Sequence, residues 1–173
     1  MTVLSALGID TERVETEPVL APWDDPELLH KAALDRAFEG DEARLAEFVS
    51  ILSRPLPPGT RLFLRGSAVA GESYKTKQPF DAEGPGSSDL DVVVSGPEAM
   101  DLFADDGFYL PRVNSRPLCD HDRTVAPALD AARSEAQDLV GRPVSIQAMA
   151  EWFLDVRAAT QGTPHVLLGE VAG

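Results

Sequence analysis

The stretch Arg61–Val94, RLFLRGSAVAGESYKTKQPFDAEGPGSSDLDVVV, organises the whole chain. Thr60 to Arg65 is a short apolar run of bulky residues and predicts a buried strand. Gly66-Ser67 ends that run, and a helix-like segment begins at Ala68. Gly84-Pro85-Gly86-Ser87-Ser88 predicts a turn. Asp89-Leu90-Asp91 then opens a second apolar run, Val92 to Val94, which Ser95-Gly96-Pro97 stops.

Spacing carries the chemistry. Side chains alternate faces along a strand, so Asp89 and Asp91 point one way and Leu90 the other. Two neighbouring carboxylates repel unless something positive lies between them. A hard divalent cation such as magnesium suits that place, because it takes oxygen ligands and keeps waters and substrate phosphates as the rest. Gly66-Ser67 has the complementary character. Glycine lets the backbone approach a ligand closely, and amides at a helix start attract phosphate. A phosphate cradle beside a carboxylate pair suits metal-assisted phosphoryl or nucleotidyl transfer. The bland alternative is a strand whose acidic end faces solvent.

Gly66-Ser67, a helix, and then Ser88-Asp89-Leu90-Asp91 entering a strand resembles the nucleotidyltransferase superfamily that includes DNA polymerase beta. The resemblance is close over Leu62 to Val94 and loose over Pro143 to Glu170. It implies an α/β fold, a small mixed sheet flanked by helices. It also implies that Asp89 and Asp91 bind magnesium, two ions in that family, and carry the catalysis. Gly66 and Ser67 would hold the triphosphate of a nucleoside triphosphate, ATP among the candidates, and Ser88 would shape the turn. Arg65 and Lys75 would neutralise phosphate charge.

Composition narrows the partners. The 173 residues fit one domain with a single core, read here as an arm over residues 1–22 and a domain over 23–173. The 43% hydrophobic content is ordinary for a globular protein. The formal net charge is −14, from 15 basic and 29 acidic residues. That opposes broad nucleic-acid binding, which needs a positive surface, and favours a small-molecule or protein acceptor. Cys119 is the single cysteine, so no intrachain disulfide is possible and a reducing, cytoplasmic setting is expected. No signal peptide or membrane span is expected.

Outward from the central stretch, Trp23 is expected to pin the arm. Asp24 or Asp25 before Pro26 predicts a helix start, with Leu28, Leu29, Ala32 and Ala33 inward and Gly40 as the stop. A second helix from Asp41 to about Ser53 presents Leu45, Phe48, Val49 and Leu52. Ala68 to Lys77 is expected to be partly helical, with Lys75 and Lys77 either near the phosphate cradle or merely solvated. Gln78 to Gly86 is expected to loop over the site, with Asp81 and Glu83 as exposed acids. Pro97 to Asp106 predicts a short helix. Phe108 to Arg123 lacks periodicity and reads either as a functional loop, with Tyr109 stacking a base and Arg112 and Arg116 meeting phosphate, or as a solvated one. Cys119 beside Asp120-His121-Asp122 does not read as zinc, since consecutive residues do not readily converge on one ion. Val125–Val140 predicts a helix, Val144–Met149 a strand, Glu151–Thr160 a helix, and His165–Val171 a closing strand or a tail.

One feature departs from the family pattern. The superfamily usually carries a third carboxylate on the strand after the Asp-x-Asp strand. Here that place is Val144-Ser145-Ile146-Gln147, and neither Ser145 nor Gln147 is acidic; Glu151, Asp155 or Glu170 would have to substitute. There is also little chain for the C-terminal helical domain of many members, so a homodimer or partner protein would supply that surface. The expected function is magnesium-dependent transfer of a nucleoside monophosphate to an acceptor. The alternative is a non-catalytic nucleotide-binding or regulatory module, such as one half of a toxin-antitoxin pair.

Overall fold

A computed structural model describes residues 25–173. The expected arm, Trp23 and Asp24 lie outside the described residues. Six helices and six strands follow in the order α1 (Pro26–Phe38), α2 (Glu42–Ser53), β1 (Arg61–Arg65), α3 (Ser67–Ala70), β2 (Leu90–Ser95), α4 (Pro97–Met100), β3 (Phe108–Leu110), β4 (Asn114–Ser115), α5 (Pro127–Val140), β5 (Val144–Ala148), α6 (Glu151–Gln161) and β6 (His165–Glu170). The chain is α/β. Four strands form one mixed sheet in the order β5-β2-β1-β6, with β2 antiparallel to β1 and parallel to β5, and β6 antiparallel to β1.

The helix starts obey simple capping rules. Asp25 accepts from the amides of Glu27 and Leu28, and Asp41 from those of Ala43 and Arg44, which satisfies donors that the first turn cannot pair. On α1 the buried residues are Ala33, Leu34, Ala37 and Phe38, while Leu28 is exposed. Of the expected inward face, Ala33 is buried and Leu29 packs against the core, but Leu28 points away from it. Phe38 extends that face by packing edge-to-face on Phe48 of α2, with ring centroids 5.2 Å apart.

Alternation along the sheet separates two surfaces. Leu62, Leu64, Leu90, Val92, Val94, Val144, Ile146 and Ala148 belong to the main core, with buried side chains from α1, α2 and α5. Phe63, Val93, Met149 and Leu154 form a smaller cluster with α6. On that second surface the register sets Arg65 opposite Asp91, Asp91 beside Ser145, and Val93 beside Gln147. The polar half of this surface forms the floor of the cleft described below.

Three expected elements differ. The helix from Ala68 lasts only to Ala70, because Gly71 takes a left-handed conformation (φ 86°) and its amide returns to Ser67 O at 2.8 Å. Arg36 then donates to the carbonyl of Val69 at 2.8 Å, meeting the helix end with a positive group. The helix from Pro97 ends at Met100, followed by a separate 3-10 turn over Asp105–Gly107. Phe108 to Arg123 is not structureless: β3 and β4 pair as a short hairpin, and Leu118 bonds to Ile146 in both directions, at 2.8 and 3.0 Å. The last segment is a true strand, since β6 pairs with β1 along the sheet edge.

Candidate functional site

A cleft of about 980 Å³ opens on the polar half of the second sheet surface, and Arg65, Gly66, Ser67, Lys75, Ser88, Asp89 and Asp91 all line it. Gly66 is the hinge of the arrangement. Its φ of 79° and ψ of −155° belong to a region that only glycine enters cheaply. A Cβ there would lie 2.6 Å from Asp91 Oδ2. The missing side chain is what lets the β1–α3 turn close over the carboxylate.

Asp91 lies on β2 and is held from the neighbouring strand, where the Ser145 hydroxyl donates to its Oδ1 at 2.8 Å. Asp89 precedes β2 and lines the cleft. Desolvation by the cleft, and then the Asp91 carboxylate, push the Asp89 carboxyl above its ordinary range, against the opposing charge of Arg65. Among the described residues neither carboxylate has a basic partner in an ion pair.

The donor set suits a hard divalent cation that arrives with its own phosphate oxygens. Asp89 and Asp91 offer carboxylate oxygens, and among the described residues no three His, Cys, Asp or Glu side chains converge. The three acids considered as substitutes stand elsewhere. Glu151 pairs with Arg61, and Glu170 is in register with Arg61, four residues along β1 from Arg65, or roughly 13 Å. Asp155 pairs with His165 at 3.5 Å, and its side chain is 70% exposed. None of them lines the cleft, whereas Glu83 and Asp120 do.

Ser88 is held by Asp81. The Asp81 amide donates to Ser88 Oγ at 2.8 Å, and the amides of Ser88 and Gly86 donate to the Asp81 carboxylate at 3.0 and 3.2 Å. Arg142 closes the knot with two bonds to the same carboxylate, 2.9 and 3.0 Å, one to Ser88 O at 3.3 Å, and a guanidinium lying 4.7 Å from the Phe80 ring centroid. Desolvation acts to raise the Asp81 carboxyl, but the Arg142 pair and the two amides prevail and hold it below the ordinary range. Asp81 is thus not the exposed acid its loop composition suggests. Its partner Arg142 is 61 residues away in sequence, beyond any local pattern.

The two lysines separate. Ser73 and Gln78 close a tight turn, with Lys75 at the cleft and Lys77 turned to Glu72, 3.6 Å away, and to the Tyr74 ring. Tyr109 lines the cleft and is 61% exposed, and Tyr74 lines it too. The loop arginines are engaged elsewhere: Arg112 bonds Asp101 and Pro97 O, and Arg116 pairs with Asp122. Arg157 of α6 lines the cleft, a residue the sequence did not single out. Burial, then the charge of Arg65, hold it below its ordinary value, against the pull of Asp91.

These features define an α/β protein with a cleft lined by a carboxylate pair and by arginines. No protein-family model matches the chain, and neither a curated protein nor a solved structure matches it. Among the described residues no helix is long and apolar enough to cross a membrane.

Proposed function

We propose that the protein is a magnesium-dependent nucleotidyltransferase of the DNA polymerase beta-like superfamily. It would move a nucleoside monophosphate from a nucleoside triphosphate to a small-molecule or protein acceptor. One observation carries this reading: the side-chain-free approach of Gly66 to Asp91, with Asp89 on the same cleft wall. A glycine held against a carboxylate makes poor sense for stability and good sense for bringing phosphate oxygens beside acidic ligands.

The roles divide by chemistry. Asp89 and Asp91 would hold the metal, Asp91 oriented by Ser145. Magnesium, when bound, would offset the repulsion of the two carboxylates and neutralise phosphate charge. Gly66 and Ser67 would seat the phosphates, and Arg65 and Lys75 would add positive charge. Ser88, held by Asp81 and Arg142, would fix the turn that delivers Asp89. Tyr74 and Tyr109 would offer faces to the base, since aromatic stacking tolerates any base. Phosphoryl-type transfer depends mainly on positioning and charge stabilisation, which this set supplies.

A second reading is favoured by one specific observation. Ser145 and Gln147 stand on β5 beside β2, where the family carries its third acid, and Gln147 is held by Arg65 and by Ser115 O. A nucleotide-binding regulator fits that substitution. Cell extract supplied with magnesium and nucleoside triphosphates labelled at the α- or the γ-phosphate separates the two. Transfer of α-label alone to a product supports the enzyme. Binding of nucleotide with no transferred label overturns it and leaves the regulator.

A further inference from the structure

In so acidic a chain, arginines are expected to meet acids, and most do. Arg44, Arg54, Arg61, Arg112, Arg116, Arg123, Arg133 and Arg142 each pair with a carboxylate. Arg36 is spent on the carbonyls of Ala68 and Val69. Arg65 and Arg157 are different. Among the described residues neither has a carboxylate partner, and both line the cleft.

Their remaining contacts orient them without neutralising them. Gln147 gives its amide hydrogen to Ser115 O at 2.8 Å, so its Oε1 is free to accept from Arg65. Arg65 Nε is buried and has no partner among the described residues. Arg157 donates through Nε to Gln161 at 3.2 Å, and its backbone carbonyl is held by the Thr163 hydroxyl at 3.0 Å. Its terminal nitrogens make no hydrogen bond among the described residues. Burial and the charge of Arg65 disfavour the Arg157 guanidinium, the Asp91 carboxylate offsets this only in part, and a bound anion would relieve the rest.

We propose that Arg65 and Arg157 form an oxyanion site in the cleft that takes a phosphate group without help from a metal. The planar fork of each guanidinium matches phosphate oxygens, and the Gly66-Ser67 turn lies against the same space. The phosphate has two possible carriers, the tail of a nucleoside triphosphate or a phosphorylated acceptor. Only that choice of carrier rests on the nucleotidyltransferase reading; the anion site stands on the arginines themselves.

Calorimetric titration with inorganic tripolyphosphate in chelator tests the site. Wild type should bind, and Arg157→Gln should weaken binding about tenfold or more, the scale of a lost charge-assisted hydrogen bond. Equal affinity in the variant, or no binding to wild type, overturns the proposal. Should Arg157→Gln fail to fold, arginine labelling of wild type with phenylglyoxal decides. Tripolyphosphate should protect Arg65 and Arg157, and equal labelling with and without it removes the site. The carrier follows from competition. Displacement of tripolyphosphate by magnesium-free nucleoside triphosphate assigns the donor tail, and inorganic phosphate binding beside saturating nucleotide assigns the acceptor. Failure of α-label transfer with this binding intact would sink the nucleotidyltransferase reading alone.

Discussion

Gly66 and Asp91 stand so close that a Cβ on Gly66 would lie 2.6 Å from Asp91 Oδ2. Asp91 cannot give way freely, because the Ser145 hydroxyl holds its other oxygen at 2.8 Å. Gly66→Ala therefore carries two penalties, backbone strain and a displaced carboxylate. We expect a loss of about 2–4 kcal/mol in denaturant unfolding. Adding Asp91→Ala should restore about 1 kcal/mol by removing the clash while the strain stays. A strictly additive double mutant would show that the two residues do not compete for this space.

Asp91→Asn separates function from fold. The pair of carboxylates repels in the absence of a cation, so in chelator the substitution should leave stability unchanged or raise it by about 0.5–1 kcal/mol. Magnesium-dependent nucleotide turnover should fall roughly a hundredfold or more. Melts in chelator beside magnesium titrations check both signs. A lowered melting temperature with intact magnesium binding would make Asp91 a structural acid.

Asp89 should give stability a specific pH dependence. Its folded pKa lies above the ordinary 3.8. The folded state then binds the proton more tightly, so this group favours folding below 3.8 and loses that contribution as pH rises through the folded value. Asp89→Asn should accordingly stabilise the metal-free protein at neutral pH, and the gain should vanish below 3.8. Melting curves from pH 3 to 8 in chelator, wild type against variant, measure it. A gain that is constant across that range would exclude Asp89 as its source.

Asp81 behaves in the opposite sense. Its folded pKa is depressed, so its contribution is complete above the ordinary carboxylate range and fades only as pH falls through the lower folded value. Asp81→Ala should cost about 2–3 kcal/mol near neutrality, because it strands Arg142, whose side chain is only 9% exposed. Asp81→Ala with Arg142→Ala should cost less than the sum of the single changes. Additivity in that cycle would mean the loop before Asp89 is held by something else.

The local elements were legible in the sequence because their causes are local. Asp25 and Asp41 cap by hydrogen bonds two and three residues away. The strand from Leu90 could be read from alternation, with Leu90 buried and Asp91 on the cleft side. Arg65, Gly66, Ser67, Lys75, Ser88, Asp89 and Asp91 were named from one stretch of chain and do line one cleft. Long-range geometry decided the rest. The end of α3 is met by Arg36, more than thirty residues earlier, and the inward face of α1 packs on Phe48. Asp81 became a structural acid only when Arg142 folded against it. Arg157 joined the cleft because α6 covers the apolar end of the sheet surface around Phe63 and Val93. Period and capping are written in near neighbours. The pairing of charges and the facing of surfaces depend on which distant side chains arrive, and only the folded chain brings them together.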